Sequence, residues 1–347
     1  MIWLLALQLL CPPQVNPAKV EVLNPNIAAG LGYSIRKTGV PRAQADFSVE
    51  GDVRISLPVL SVRTITFKKG SRLILDFTLN NSPNSPTQFP SGFSSSAAAQ
   101  FYLVAEDIEV EDAENPGTIT WDPSQIVSAP RAWAEPASPG LTGTFGGGAG
   151  GPGASGVAGA QGASGRSAPS IVIIAERIGG LPRIAFCGQQ GGRGGLGQPG
   201  GAGGRGGQGE SASQNAFNCS HGAGNGGPGG NGGEGGAGGL GGQGGDGGSV
   251  VFLTQNEKFD LSLAKAYVDG GSGGDGGDGG PGGAPGIGGE GGPPQMPWCR
   301  GGGNKGVDGS RGHDGAPGTR GKGGKPGSAS VGYLDLKQLR SLMKGEF

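Results

Sequence analysis

Histidine is nearly missing from this chain, with two residues in 347, and cysteine occurs only four times. A histidine-rich metal site or a Ser-His-Asp triad is hard to assemble from so few. An excess of one charge is missing too. Lys and Arg number 26 against 27 Asp and Glu, and charged residues make up 15% of the chain. Phosphate binding needs clustered positive charge, so nucleic acid is not an expected partner. No catalytic residue, metal ligand or cofactor motif stands out, and the chain reads as a non-enzyme. Long apolar runs are lacking as well. The ten residues Met1 to Leu10, closed by Cys11-Pro12-Pro13, are too few to span a bilayer. They resemble the apolar core of a secretory signal, although no Lys or Arg precedes Lys19. Gln8-Leu9-Leu10-Cys11 is a poor lipoprotein box. Residues 1–19 are read as a signal peptide, with a misassigned start or a buried strand as the alternatives, and no membrane span is expected elsewhere.

What the chain has in excess is glycine: 81 residues, joined by 26 prolines, where ordinary proteins carry roughly 12% of the two together. Eight of the glycines fall in residues 1–142 and 73 in residues 143–347. That shift divides a β-rich region, 20–142, from a glycine-rich region, 143–335, and a C-terminal tail, 336–347. In the first region short runs such as Val62 to Phe67, Leu73 to Phe77 and Phe101 to Val104 alternate and carry β-branched residues, which argues strands. Lys68-Lys69-Gly70 marks a turn, and residues 79–99 read as a long exposed loop. The acids Glu106, Asp107, Glu109, Glu111 and Asp112 read as a solvated strand edge. Leu103 to Ile108 is echoed by Ile173 to Ile178, and each is followed by a second strand-like piece, Thr118 to Trp121 and Arg183 to Phe186. A looser copy is Val250 to Thr254 with Leu261 to Leu263, and a fourth starts at Val331. Recurring strand pairs predict a mainly β fold, a β-solenoid-like or layered base. An ordinary β-sandwich is the alternative.

The glycine register says more than the glycine count. Glycine holds every third position through five runs: 147–165, 188–209, 226–247, 271–292 and 303–327. A period of three matches the polyproline II helix, which rises about 3.1 Å per residue. Glycine at one phase bares one edge of such a helix, and glycine at two phases bares two. Bare edges let backbones approach and pair, which predicts a bundle of five polyglycine II helices. Its structural glycines are Gly226, Gly229, Gly232, Gly235, Gly238, Gly241, Gly244 and Gly247 in the third run, with Gly271, Gly274, Gly277 and Gly280 in the fourth. The third and fourth runs, richest in glycine, are expected at the centre, the first and fifth at the periphery. A collagen triple helix and a flexible linker are weaker readings, because the runs are short yet keep register. Asp246, Asp275 and Asp278 lack the phase of calcium-binding nonapeptide repeats. If successive runs alternate in direction, the strand pairs gather at one end and loops 210–225 and 293–302 at the other. Each run would span roughly 65–70 Å.

Runs such as 226–248 resemble the polyglycine II sandwich of T-even-type phage tail-fibre adhesins and of snow-flea antifreeze proteins. The alternation of short β segments such as Ser170 to Ile178 with Gly-Gly-Xaa tracts is similar to collagen-like, glycine-rich secreted bacterial proteins. The resemblance covers about 143–335, and residues 1–142 do not match the adhesins' attachment segment. It implies receptor binding through the distal loops. Those loops hold Phe217, His221, Met296 and Trp298, which either anchor a ligand or plug the bundle end. They also hold Cys219 and Cys299, expected to form a disulfide. Cys187, at the opposite end, is expected as a buried thiol. His313 lies too far down its run to join His221 in a zinc site. Arg193-Gly-Gly, Arg205-Gly-Gly and Arg300-Gly-Gly are too sparse to act as RNA-binding boxes, and the mixed outward rows do not suit an ice-binding face. Two functions remain open for a secreted or cell-surface protein. One is a structural or surface-assembly role, through self-association or matrix components. The other is an adhesin that binds a glycan or protein receptor.

Overall fold

The β-branched runs that sit between turn residues form strands, and nearly all of them align in parallel. The computed structural model describes residues 20–22, 45–57, 59–76, 100–122, 135–255 and 265–344. Strands are numbered along the chain. A seven-stranded sheet has the order β1 (Val20–Val22), β14 (Ser328–Tyr333), β12 (Ser249–Thr254), β8 (Ser170–Ile178), β6 (Gln100–Val110), β4 (Val59–Phe67) and β2 (Phe47–Val49). A five-stranded sheet has the order β13 (Ala266–Tyr267), β9 (Arg183–Ala185), β7 (Thr118–Trp121), β5 (Arg72–Leu75) and β3 (Asp52–Ile55). From β2 to β13 the chain visits the two sheets as pairs, and the pairs keep the same order in both. The fold is mainly β and its sheets are parallel.

Register follows the sequence repeat. Leu103 stands opposite Ile173, Ala105 opposite Ala175 and Ile108 opposite Ile178. Ile171, Val250 and Ala329 stand side by side, a step of 79 residues each time. The compositional break at 142 does not divide the sheets, because β6 pairs with β8 across it. The second strand of the third copy is Ala266–Tyr267, while Leu261 to Leu263 lie outside the described residues, as do the signal segment 1–19 and loop 79–99.

The core lies between the sheets, where Phe67, Leu103, Ile171, Phe186 and Phe252 meet Leu73, Ile119 and Ile184. Parallel sheets of this kind are covered on both faces, so their strands read as unbroken apolar runs. Phe101 to Ala105 and Ile171 to Ala175 are buried throughout. The second face of the long sheet is covered by a helix, α1 (Leu336–Lys344), where the sequence suggested only a tail. Leu339 and Met343 pack with Leu334 on Tyr102, Val104, Val172, Ile174 and Leu253. Asp335 caps α1: its carboxylate accepts the Gln338 N–H at 2.8 Å, and the Gln338 amide oxygen accepts the Asp335 N–H at 3.3 Å.

Arg340 clamps the helix to the sheet. Its guanidinium donates to both oxygens of Glu176, at 2.7 and 2.9 Å, on a side chain that is almost fully buried. That bond, more than the opposing effect of burial, holds the Glu176 carboxyl below its ordinary value of 4.5. A depressed carboxyl contributes stability above its unfolded value and loses it as pH falls. Docking of α1 is therefore expected to weaken below about pH 4.5. Backbone NMR shifts of residues 336–344 should move together on acidification, and Arg340→Ala should produce the same shifts at neutral pH. The acidic strand edge is likewise paired: Asp107 meets Arg177, Glu111 meets Lys68 at 3.2 Å, and Asp112 meets Lys69 at 2.9 Å. Exposed pairs of this kind contribute little to stability, because solvent screens them.

The glycine runs leave the sheets as extended segments joined by backbone hydrogen bonds of 2.6–3.0 Å. Successive runs are antiparallel: Gly230 donates to Gly204, and Gly233 to Gly201. Alternate runs are parallel: Gly150 donates to Pro228, and Gly153 to Asn231. Runs 1, 3 and 5 thus form one layer. Runs 2 and 4 form the other with a further segment, 135–146, whose N–H groups at Ala137, Gly140, Gly143 and Gly146 reach run 2. The expectation of five runs missed that segment, which has little glycine because few backbones approach it. The expected centre is corrected as well. Run 3 bonds to runs 1, 2, 4 and 5, and run 2 to segment 135–146 and to runs 1, 3 and 4, whereas run 4 bonds to runs 2, 3 and 5. Runs 2 and 3 are the centre.

Candidate functional site

The seven- and five-stranded sheets lie at one end of the glycine runs, and the connecting loops lie at the other. A hairpin, β10 (Ser213–Gln214) and β11 (Cys219–His221), turns through Asn215, whose side-chain oxygen accepts the N–H groups of Phe217 at 3.0 Å and Asn218 at 2.8 Å. Gln214 reaches across to loop 293–302, donating to the Met296 carbonyl at 2.6 Å and accepting the Trp298 N–H at 2.9 Å. Cys219 and Cys299 are disulfide-bonded, with Cα atoms 4.9 Å apart across 80 residues of sequence. The two loops are thus one rigid unit. His221 Nε2 stands 3.7 Å from a Glu210 carboxylate oxygen.

A third loop belongs to the same tip. Thr144-Phe145-Gly146-Gly147 turns segment 135–146 into run 1, and both glycine N–H groups bond the Gln208 carbonyl. The turn needs glycine, since φ is +96° at Gly146 and +85° at Gly147. Sequence reasoning missed Phe145. The signal was a break in phase, with glycines at 140, 143 and 146 followed by 147 and 150.

These loops carry large apolar side chains into solvent. Phe217 is 86% exposed, Phe145 70%, Met296 63% and Trp298 50%. They do not plug the bundle end. The buried Cys299 and the backbone bonds close it instead, and leave the side chains outside.

The remaining candidates are accounted for structurally. A Cβ on any of the twelve structural glycines of runs 3 and 4 would overlap a backbone carbonyl of a neighbouring segment. Cys187 is buried at the sheet end, its carbonyl accepting the Trp121 indole N–H at 3.0 Å. It is disulfide-bonded and not the thiol that the sequence suggested, and among the described residues no cysteine is free. Arg193 pairs with Asp278 at 3.0 Å, and Arg300 donates to the Pro297 carbonyl. His313 sits in run 5, where its carbonyl accepts the Gly235 N–H. Among the described residues no group of three His, Cys, Asp or Glu converges, and no helix is long and apolar enough to cross a membrane. A cleft of about 460 Å³ beside Glu176, Arg177 and Gln255 holds one buried carboxylate, but Arg340 occupies both its oxygens. That leaves the cleft without a free base.

No protein-family model and no curated protein matches the chain. The exposed tip must be judged on its own chemistry.

Proposed function

We propose that the chain is a non-enzymatic, extracellular or cell-surface binding protein that presents its tip loops on a glycine stalk. In this reading the paired strands are coils of a parallel β-solenoid, and the glycine runs are polyglycine II helices. The equal order of strand pairs in two parallel sheets supports the first. Hydrogen bonds at every third residue between extended runs support the second. The tip disulfide supports an oxidising compartment.

Sequence reasoning left a structural or surface-assembly role open beside an adhesin role. One observation favours the adhesin: Phe145, Phe217, Met296 and Trp298 are exposed together on loops locked by a disulfide. Exposing large apolar groups on rigid loops gives no folding benefit, whereas rigid aromatics are effective binding anchors because little freedom is lost on contact. A glycan or protein receptor fits such a surface.

The test is retention of the protein on immobilised glycans and on matrix-coated surfaces. Wild type should be retained on at least one surface, and Phe217→Ala with Trp298→Ala should lower affinity there by tenfold or more, about 1.4 kcal/mol. The double variant should melt like wild type, because both side chains are already in water. Equal retention of the two proteins, or no retention on any surface, would contradict the adhesin reading and favour the structural one.

A further inference from the structure

Run 4 has a free backbone edge. Each glycine of run 2 from Gly188 to Gly209 in its first phase donates to a run 4 carbonyl, from Asp269 to Glu290. The corresponding phase of run 4 comprises Gly270, Gly273, Gly276, Gly279, Gly282, Gly288 and Gly291. Among the described residues no further run receives these N–H groups. Pro285 interrupts the series with no N–H at all.

Side chains of run 5 take up part of this edge. Asp314 Oδ1 accepts the Gly282 N–H and Asp308 Oδ1 accepts the Gly288 N–H, both at 2.8 Å. Arg320 Nε donates to the Gly273 carbonyl at 3.1 Å. The three residues are spaced six apart, on a side of run 5 that also carries Lys305, Arg311, Pro317 and Pro326. Run 3 shows what that side does elsewhere in the array. Runs 3 and 5 are in register at a step of 79 residues, so Asp308, Asp314 and Arg320 correspond to Gly229, Gly235 and Gly241. A Cβ on any of those glycines would strike a carbonyl of run 4. Where run 3 is bare so that another run can sit against it, run 5 carries side chains into the equivalent seat.

We propose that Asp308, Asp314 and Arg320 close the growing edge of the glycine array, and that without them a glycine run of a second copy of this chain would dock between runs 4 and 5. The occupant follows from the seat. It offers donors and acceptors at a three-residue spacing and admits only a backbone bare of side chains on the facing edges, as the runs already beside run 4 are. Capping by charged side chains is also how natural sheets protect their edges from pairing with another chain.

The experiment restores the run 3 pattern over the seat in the full chain, so Lys305, Arg311 and Pro317, which stand where run 3 has Gly226, Gly232 and Gly238, are replaced together with the three caps. The variant with Lys305→Gly, Asp308→Gly, Arg311→Gly, Asp314→Gly, Pro317→Gly and Arg320→Gly should self-associate in sedimentation velocity, with a dissociation constant at least tenfold below that of wild type. Lys305→Gly, Arg311→Gly and Pro317→Gly alone should leave sedimentation unchanged. The Gly282 and Gly288 amides should exchange fast in the dilute six-glycine variant and slow again as it associates. Asp308→Asn with Asp314→Asn keeps both acceptor oxygens and should sediment like wild type. The proposal is overturned if the variant with all six glycines, still melting cooperatively, sediments like wild type at every concentration. It is also overturned if the Gly282 and Gly288 amides stay protected in the dilute variant. Neither result depends on whether the tip binds a receptor.

Discussion

Gly238→Val is expected to destabilise the protein by about 3 kcal/mol or more, at the upper end of what overpacking costs. Gly238 lies midway along run 3, donates to the Ala316 carbonyl of run 5, and faces run 4. A Cβ there would overlap the Gly277 carbonyl, 2.6 Å from its carbon, and would lie 2.8 Å from the Gly318 nitrogen. Both neighbours are backbone, so no rotamer change can relieve the contact. Relief requires run 4 or run 5 to move away, which breaks hydrogen bonds at Gly238 and at the residues on either side. Leu240→Val, two residues on, alters a half-exposed outward side chain and should stay within about 0.5 kcal/mol of wild type. Thermal melts of the two variants decide the matter. Equal effects would mean that Gly238 faces solvent.

Loss of the tip disulfide should be the second large effect. Cys219 and Cys299 close a loop of 80 residues, and the chain-entropy model assigns such a closure on the order of 4–5 kcal/mol. The loop contains the end of the hairpin, runs 3 and 4 and strands β12 and β13, so opening it frees much of the array in the unfolded state. Serine at both positions is a cleaner test than a reductant, because Cys187 is also disulfide-bonded at the opposite end. The double serine variant should melt well below wild type, with the first loss of amide protection in residues 210–225 and 293–302. A change under about 1 kcal/mol would mean that these loops are held by their backbone bonds alone.

Much of this architecture is legible in the sequence because the constraints are local. Glycine at every third position states which edge of a run must be bare, and two glycine phases state that two edges are covered. The strand register was readable for a similar reason: Leu103 to Ile108 and Ile173 to Ile178 share an environment because they lie side by side. What escaped is what depends on neighbours rather than on composition. Segment 135–146 carries glycine only at positions 140, 143 and 146, because its outer side meets no backbone, so a search for dense glycine passes over it. Helix α1 is only nine residues long, too short to persist without its docking surface. The centre of the array was misjudged because run 2 has Gln189 and Gln198 at facing positions where run 3 keeps glycine. Those side chains turn outward and accept the N–H groups of Arg166 and Val157 from run 1, which keeps run 2 closely packed with fewer glycines.

Amide hydrogen exchange resolved by residue across 188–327 tests the central claim most directly. The hydrogen-bonded array predicts a period of three with a different pattern in each run. In run 3 two amides of every three should be slow, such as Gly235 and Gly236, with the third, such as Glu234, fast. In run 5 only the glycine of each triplet should be slow, together with Asn304, Ser310 and Lys325, whose N–H groups bond side chains of run 3. Fast exchange throughout, or slow exchange without the three-residue period, would contradict the account.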